Sequence, residues 1–256
     1  MGQEFHPPAS LEIRAISGLP EIASGAPLAD LLLSALAESS LAFAEGDVLV
    51  VAQKIISKAE GRLVELSRVE PSAFAESLAQ AFGKDPRQVE VVLRESQRIV
   101  RMDAGVIVVE THHGFVCANA GVDSSNVPPG WVSLLPADAD ASARRLQEEI
   151  ERKTGKRVAV LISDTFGRPW REGLTNVAIG VAGLAPLLDY RGQRDAQGHL
   201  LSATVIAAAD ELAGAAELVM GKTARRPAAI IRHYPSFAEA GKATDLIRPR
   251  EKDLFR

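Results

Sequence analysis

Two apolar runs, Val48–Ala52 (VLVVA) and residues 157–162 (RVAVLI), each lead without a break into a polar cluster. Runs this short, without alternation, read as buried strands, the first covered on both faces. After Ile162 come Ser163, Asp164 and Thr165, then Gly167, Arg168, Pro169, Trp170, Arg171 and Gly173. After Ala52 come Gln53, Lys54, Ser57, Lys58 and Gly61. A strand that stops in Asp-Thr and turns through Gly167 and Pro169 puts hard oxygen ligands and cations at a sheet edge, as an anionic substrate with a divalent metal requires. A plainer reading is open for both: Asp-Thr as helix caps, and the lysines as guards on a solvated edge strand.

The rest of the chain supplies further elements in order. Residues 11–16 (LEIRAI) alternate like a strand and run into the turn SGLPEI at 17–22, rich in free backbone N–H groups. Residues 27–37 read as an amphipathic helix with Pro27 near its first turn. Two more helices are expected at 71–82 and 86–98, and strands at 99–110 and 115–118 form a hairpin around 111–114. His112 and His113 sit at that hairpin's tip; adjacent strand residues point to opposite faces, which does not suit a zinc site. A dense polar turn, NAGVDSSNVP, spans 119–128, where Asp123 and Asn126 read either as an Asx turn or as a metal acid and a ligand-reading amide. A charged helix over 141–153, ended near Gly155, delivers the chain to the strand at 157–162. Later come a strand running into a helix at 203–216, with Asp210 and Glu211 as buried-looking acids, a basic glycine-containing loop at 218–227, and a last strand at 228–232.

Composition narrows the function classes. At 256 residues the chain can bury a sizeable core as one large unit or two small ones. A net charge of -4 argues against a general nucleic-acid partner. No apolar run is long enough for a membrane span, and the polar N-terminus has no signal-peptide core. The single cysteine, Cys117, lies in an apolar run and reads as a small core residue; one thiol forms no internal disulfide and fits the cytoplasm. There is no phosphate-loop motif, no G-x-G-x-x-G and no nucleophile elbow. Without a Cys or His cluster, a metal here would be oxygen-bound, magnesium or manganese. Carboxylates, a threonine, lysines and arginines at strand ends suit phosphoryl transfer, where catalysis is positioning and charge neutralisation. Hairpins and the lack of a regular βαβ period favour an α+β fold with mixed, largely antiparallel sheets and flanking helices, as one compact unit or two lobes around a cleft.

Taken together, SGLPEI (17–22), VVAQKIISKAEGR (50–62), NAGVDSSNV (119–127), GKRVAVLISDTFGRPWREG (155–173), AIGVAG (178–183), DYRG (189–192), ADELA (209–213) and LVMGK (218–222) resemble the coenzyme F420-0:γ-glutamyl ligase family along nearly the whole chain. The resemblance implies a GTP-dependent ligase that joins L-glutamate to a deazaflavin precursor through an acyl phosphate, then adds further glutamates by γ-linkage. It implies magnesium or manganese, help from potassium, and a homodimer. It implies a single ligase unit over 1–256, of bacterial type, without a C-terminal flavin reductase domain. By motif, Asp123 and Asp164 would hold one metal ion and Thr165 would belong to a second. Leu19, Pro20, Glu21, Ile22, Gln53, Lys54, Lys58 and Asn126 would line the GTP site, completed by Met220, Gly221 and Lys222. Arg168 and Arg171 are added as contacts to the carboxylate or phosphate of the deazaflavin. One position departs from the archaeal pattern: where a glutamate would ligate the second metal, this chain has Lys222, and a charged lysine cannot be a ligand. Two other readings stay open: a ligase of this fold acting on another carboxylate, and a non-catalytic nucleotide-binding protein.

Overall fold

Both apolar runs form strands of one sheet in the computed structural model, which describes residues 7–235 and 241–253. The polar opening residues 1–6 and the last residues 254–256 lie outside the described residues. In chain order the elements are β1 (Glu12–Ile16), α1 (Leu28–Glu38), β2 (Val48–Ala52), α2 (Gln53–Ala59), β3 (Leu63–Glu65), α3 (Ala73–Phe82), α4 (Pro86–Arg94), β4 (Ser96–Asp103), β5 (Val106–Thr111), β6 (Val116–Ala118) and β7 (Trp131–Ser133). They continue with α5 (Ala139–Thr154), β8 (Ala159–Arg168), β9 (Arg171–Ala182), β10 (Leu188–Asp189), β11 (Val205–Ile206), α6 (Ala208–Met220) and β12 (Ala228–Arg232). The architecture is α+β. A mixed sheet in the order β1-β12-β2-β8-β9 is accompanied by three smaller antiparallel sheets, β10-β11, β3-β7 and β4-β5-β6.

Local chemistry sets the helix ends. Ser72 and Asp138 cap α3 and α5 by accepting from the amides of Ala75 and Ala141, and Asp85 with Pro86 opens α4. Gly83 and Gly155 end α3 and α5 in the left-handed region. Several sequence expectations need correction. The segment after Ala52 is a seven-residue helix, not an edge strand, and β2 lies inside the sheet, so its lysines guard no edge. The 86–98 helix stops at Arg94, where the β4 backbone takes over. The 99–110 strand is two strands, β4 and β5, because Ala104 and Gly105 both turn with positive φ. Glu211 is exposed, while Asp210 is only partly exposed.

The described residues hold two hydrophobic clusters. The larger contains the main sheet with α1, α5 and α6. Val48 to Val51 of β2 are all 0% exposed, so each loses its full transfer energy if truncated. Gly180 of β9 permits the close approach of α5, since a Cβ there would stand 2.5 Å from the Ala139 carbonyl oxygen. The smaller cluster is built from α3, α4 and the strands between β3 and β7. Phe115 and Phe166 meet edge to face between β8 and the turn before β6, with ring centroids 6.4 Å apart.

Strand direction and register place the polar clusters. β1 is antiparallel to β12, β12 is antiparallel to β2, and β2 is parallel to β8. Ile16 pairs with Ala228, Ala228 with Val51, and Val51 with Ile162. The carboxyl ends of β1 and β2, the start of β12 and the middle of β8 therefore lie along one edge. Ligands of open sheets collect at such an edge.

Candidate functional site at the sheet edge

Segments 17–22 and 53–59 leave the main sheet at this edge, 220–227 enters it there, 163–168 continues β8 past it, and the second cluster brings a fifth, 119–127, against them. Position by position, the anchors come first. Leu19 and Ile22 pack into the core and hold the 17–22 turn, while Pro20 and Glu21 stay exposed. On α2, Lys54 and Lys58 are four residues apart and share a face. Like charges so placed repel, and each is met by an acid: Lys54 by Asp123, Lys58 by Glu21. Gln53 is buried at the start of α2 and accepts from the Ser57 hydroxyl at 2.8 Å. Met220 is a core residue at 2% exposure. Gly221 ends α6 with φ +62°.

Asp123 sits between the clusters. Its backbone is bridged to Ser133, next to β7's end, in both directions. One carboxylate oxygen accepts from Lys54 Nζ at 2.6 Å, and the other accepts from the Ser125 amide at 2.7 Å. Lys54 also donates to the Ser125 hydroxyl at 2.6 Å. Burial pushes the Asp123 carboxyl up, but the Lys54 and Ser125 hydrogen bonds together hold it below the usual range. Asn126 is exposed, with left-handed backbone at φ 54°.

Asp164 behaves oppositely. The expected strand end at Asp-Thr does not occur: β8 continues through Thr165 to Arg168 and pairs with β9, turning only at Pro169 and Trp170. Pairing with β9, from Asp164 opposite Val177 to Arg168 opposite Arg171, carries the backbone on as strand. Asp164 is thus drawn into partly covered sheet, and burial raises its carboxyl to about 6. The Thr165 amide opposes the rise, the Asp123 charge adds to it, and Lys54 and Lys222 oppose it. Two acids whose values are pushed apart within one electrostatic cluster make this edge the candidate site. The Cys117 thiol, buried and near the Asp164 charge, is pushed up to about 12, as an inert core thiol would be.

Thr165 lies beside Asp164 on a different set of groups. Its hydroxyl donates to Asn176 Oδ1 at 2.7 Å and accepts from Lys222 Nζ at 2.7 Å. Asn176 Nδ2 donates to Glu217 at 3.0 Å, and Lys222 pairs with Glu217 at 2.9 Å. Arg168 and Arg171 face each other across the hairpin turn, exposed, with Arg168 donating to the Glu172 carbonyl at 2.8 Å. They sit beyond the aspartates, at the hairpin tip. His112 and His113 reach the backbone carbonyls of Arg94 and Pro136.

Ser125, Asn176 and Glu217 escaped the sequence reading. Asn176 could have been noticed as a buried amide in an otherwise apolar strand end. Glu217 could have been noticed as an acid near the carboxyl end of α6, where the helix dipole disfavours it.

The donor set suits a hard divalent ion on the Asp123–Asp164 side. Two carboxylates stand here, Asp123 with the Ser125 hydroxyl as a neighbour and Asp164 raised chiefly by burial. No group of three or more His, Cys, Asp or Glu side chains is clustered among the described residues. An ion held by two carboxylates would complete its shell with ligand oxygens and water, the habit of magnesium.

A family model described as F420-0:Gamma-glutamyl ligase matches residues 18–233. The chain belongs to this family. It is similar over most of its length to curated proteins named coenzyme F420:L-glutamate ligase. That of Methanothermobacter thermautotrophicus is 47% identical over 249 residues, covering 96% of this chain and 99% of the relative. That of Methanopyrus kandleri is 48% identical, covering 88% and 91%. That of Methanocaldococcus jannaschii is 46% identical, covering 83% and 85%. The family's matched span takes in the segments that meet at the sheet edge, all but Ser17 at the start of the first. Among the described residues no helix is long and apolar enough to cross a membrane.

Proposed function

We propose that this chain joins L-glutamate to the terminal carboxylate of a deazaflavin precursor in the making of coenzyme F420, driven by GTP. The observation that carries the reading is the meeting of Asp123, Asp164 and Lys54 at one edge, in a chain of this family. Lys54 and Lys58, on one face of α2, are placed to hold phosphate oxygens as point charges once their acid partners are engaged elsewhere. Asp123 and Asp164 would hold magnesium or manganese, which would draw charge from the phosphate oxygens. The acceptor carboxylate attacks the γ-phosphorus and GDP leaves, giving an acyl phosphate. The glutamate amine then attacks the acyl carbon, an amide forms, and phosphate and a proton leave. In a second cycle the γ-carboxylate of the attached glutamate takes the γ-phosphoryl group, GDP leaves, and the amine of the next glutamate displaces phosphate to form the γ-linked amide. Arg168 and Arg171 supply cations for the acceptor's own anionic groups from the hairpin tip. Asn126, Gly221 and the 17–22 turn frame the nucleotide, and potassium belongs to the same reading as an activator. The homodimer is supported by exposed apolar surface at that tip, where Trp170 is 79% and Leu174 69% exposed.

The test is direct. The protein is incubated with GTP, L-glutamate, magnesium and the unglutamylated deazaflavin, and products are weighed by mass spectrometry. Successive glutamate additions with matching GDP release are expected. GTP that stays bound and uncleaved, with no mass gain, would sink the reading.

A further inference from the structure

We infer that the Lys222 ammonium is a built-in cation filling the oxygen cage of Thr165, Asn176 and Glu217, so that the protein takes a divalent ion on the Asp123–Asp164 side alone. The ammonium has three protons and faces three oxygens. Thr165 Oγ1 lies at 2.7 Å, Glu217 Oε1 at 2.9 Å and Asn176 Oδ1 at 3.3 Å. The cage is closed by its own hydrogen bonds. The Thr165 hydroxyl spends its proton on Asn176 Oδ1, which leaves a lone pair for Lys222. Asn176 Nδ2 donates to Glu217 Oε2 and to Ser163 Oγ, at 3.0 and 3.4 Å, which turns its carbonyl oxygen toward the lysine. These contacts fix both the amide orientation and the hydroxyl rotor, and all favour a cation at the Lys222 position.

A second metal at Thr165, as the resemblance implies, does not fit these residues. It would share the same three oxygens with a charged amine, and no free acid remains beside them, since Glu217 is already paired. The placement of Glu217 makes sense only with this counter-charge. It stands near the carboxyl end of α6, opposed to the helix dipole, and Lys222 one turn later offsets it. Lys222 also reaches the other half of the site electrostatically, as one of the charges that lowers the Asp164 carboxyl. A tethered ammonium thus supplies a fixed positive charge next to the divalent site, whatever the metal concentration.

Counting bound ions decides the matter, using manganese alone without nucleotide. Free manganese is followed by electron paramagnetic resonance while wild type and Lys222→Glu are titrated. Lys222→Glu places a second carboxylate beside Glu217, Thr165 and Asn176, and it is expected to bind one more ion per chain than wild type. Wild type that already holds two ions per chain overturns the inference. So does a Lys222→Glu variant with native circular dichroism and an unchanged count. If that variant does not fold, Lys222→Gln takes its place under the same criterion. The inference deepens the metal part of the proposed function, and the two fail separately. No ion in wild type and one in the variant would remove the Asp123–Asp164 metal while leaving Lys222 as the resident cation.

Discussion

Of the lysines that meet oxygen at this site, Lys54 and Lys222 are held in different ways. Lys54 rises from the main sheet and pairs with Asp123 of the other hydrophobic cluster, across 69 residues of sequence. That pair is half open, with 43% of the Asp123 side chain exposed, and Asp123 has other uses for its oxygens. Lys222 is set among three oxygens of β8, β9 and α6, which also bond one another. On the proposed reading the first lysine is exchangeable, because an ion or a phosphate would take either member of the pair. The second sits among oxygens that also bond one another, although its own side chain is 59% exposed against 18% for Lys54. Both carry one positive charge, and what differs between them is the set of surrounding hydrogen bonds.

The largest effect tests the exchangeable side. Asp164→Asn is expected to lower glutamate addition about 100-fold or more, measured as product per minute by mass spectrometry. Activity near wild type would remove Asp164 from the site. Next, Asn176→Ala should cost about 1–3 kcal/mol in urea unfolding, since Thr165 and Glu217 each lose a partner. A loss below about 0.5 kcal/mol, within the ordinary surface range, would mean that the cage does not hold itself together.

The third expectation concerns pH. The folded Asp164 value, about 6, lies above the ordinary 3.8, so the folded chain holds that proton more tightly than the unfolded one. The favourable contribution is complete below the unfolded value and is lost as pH rises through the folded one. Between about pH 4 and 6 the metal-free protein should lose on the order of 1–2 kcal/mol from this group, and Asp164→Asn should flatten that slope. A slope equal in both proteins would refute the burial argument. The smallest effect separates the two lysines. Lys54→Met should tighten manganese binding about 3-fold, a gain below 1 kcal/mol for a half-exposed pair, without adding an ion. An added ion there would erase the contrast with Lys222.

Much of this was legible in the chain itself. The buried strands at 48–52 and 157–162 were visible because β-branched residues run unbroken into polar ones, and the sheet edge followed from them. The strand past Asp164 was not visible, because Gly167 and Pro169 look like a turn until β9 is known to pair alongside. The helix at 53–59 was not visible either, since seven residues are too few to show a helical period against a β-rich background. Asn176 and Glu217 take their meaning from Lys222, which comes 46 and 5 residues later, and no local pattern announces such a partnership.

The sheet order carries a consequence for how the protein is made. β12, at residues 228–232, lies between β1 and β2, so the first strand to leave the ribosome has no neighbour until one of the last has been synthesised. The stretch from β3 to β7 has its own cluster of short-range contacts and can organise during that wait. The 17–22 turn, carried on β1, must stay apart from α2 and β8 throughout. A nascent chain therefore leaves β1 without a strand partner for most of its synthesis, and the edge that carries the polar segments is complete only once translation has passed Arg232.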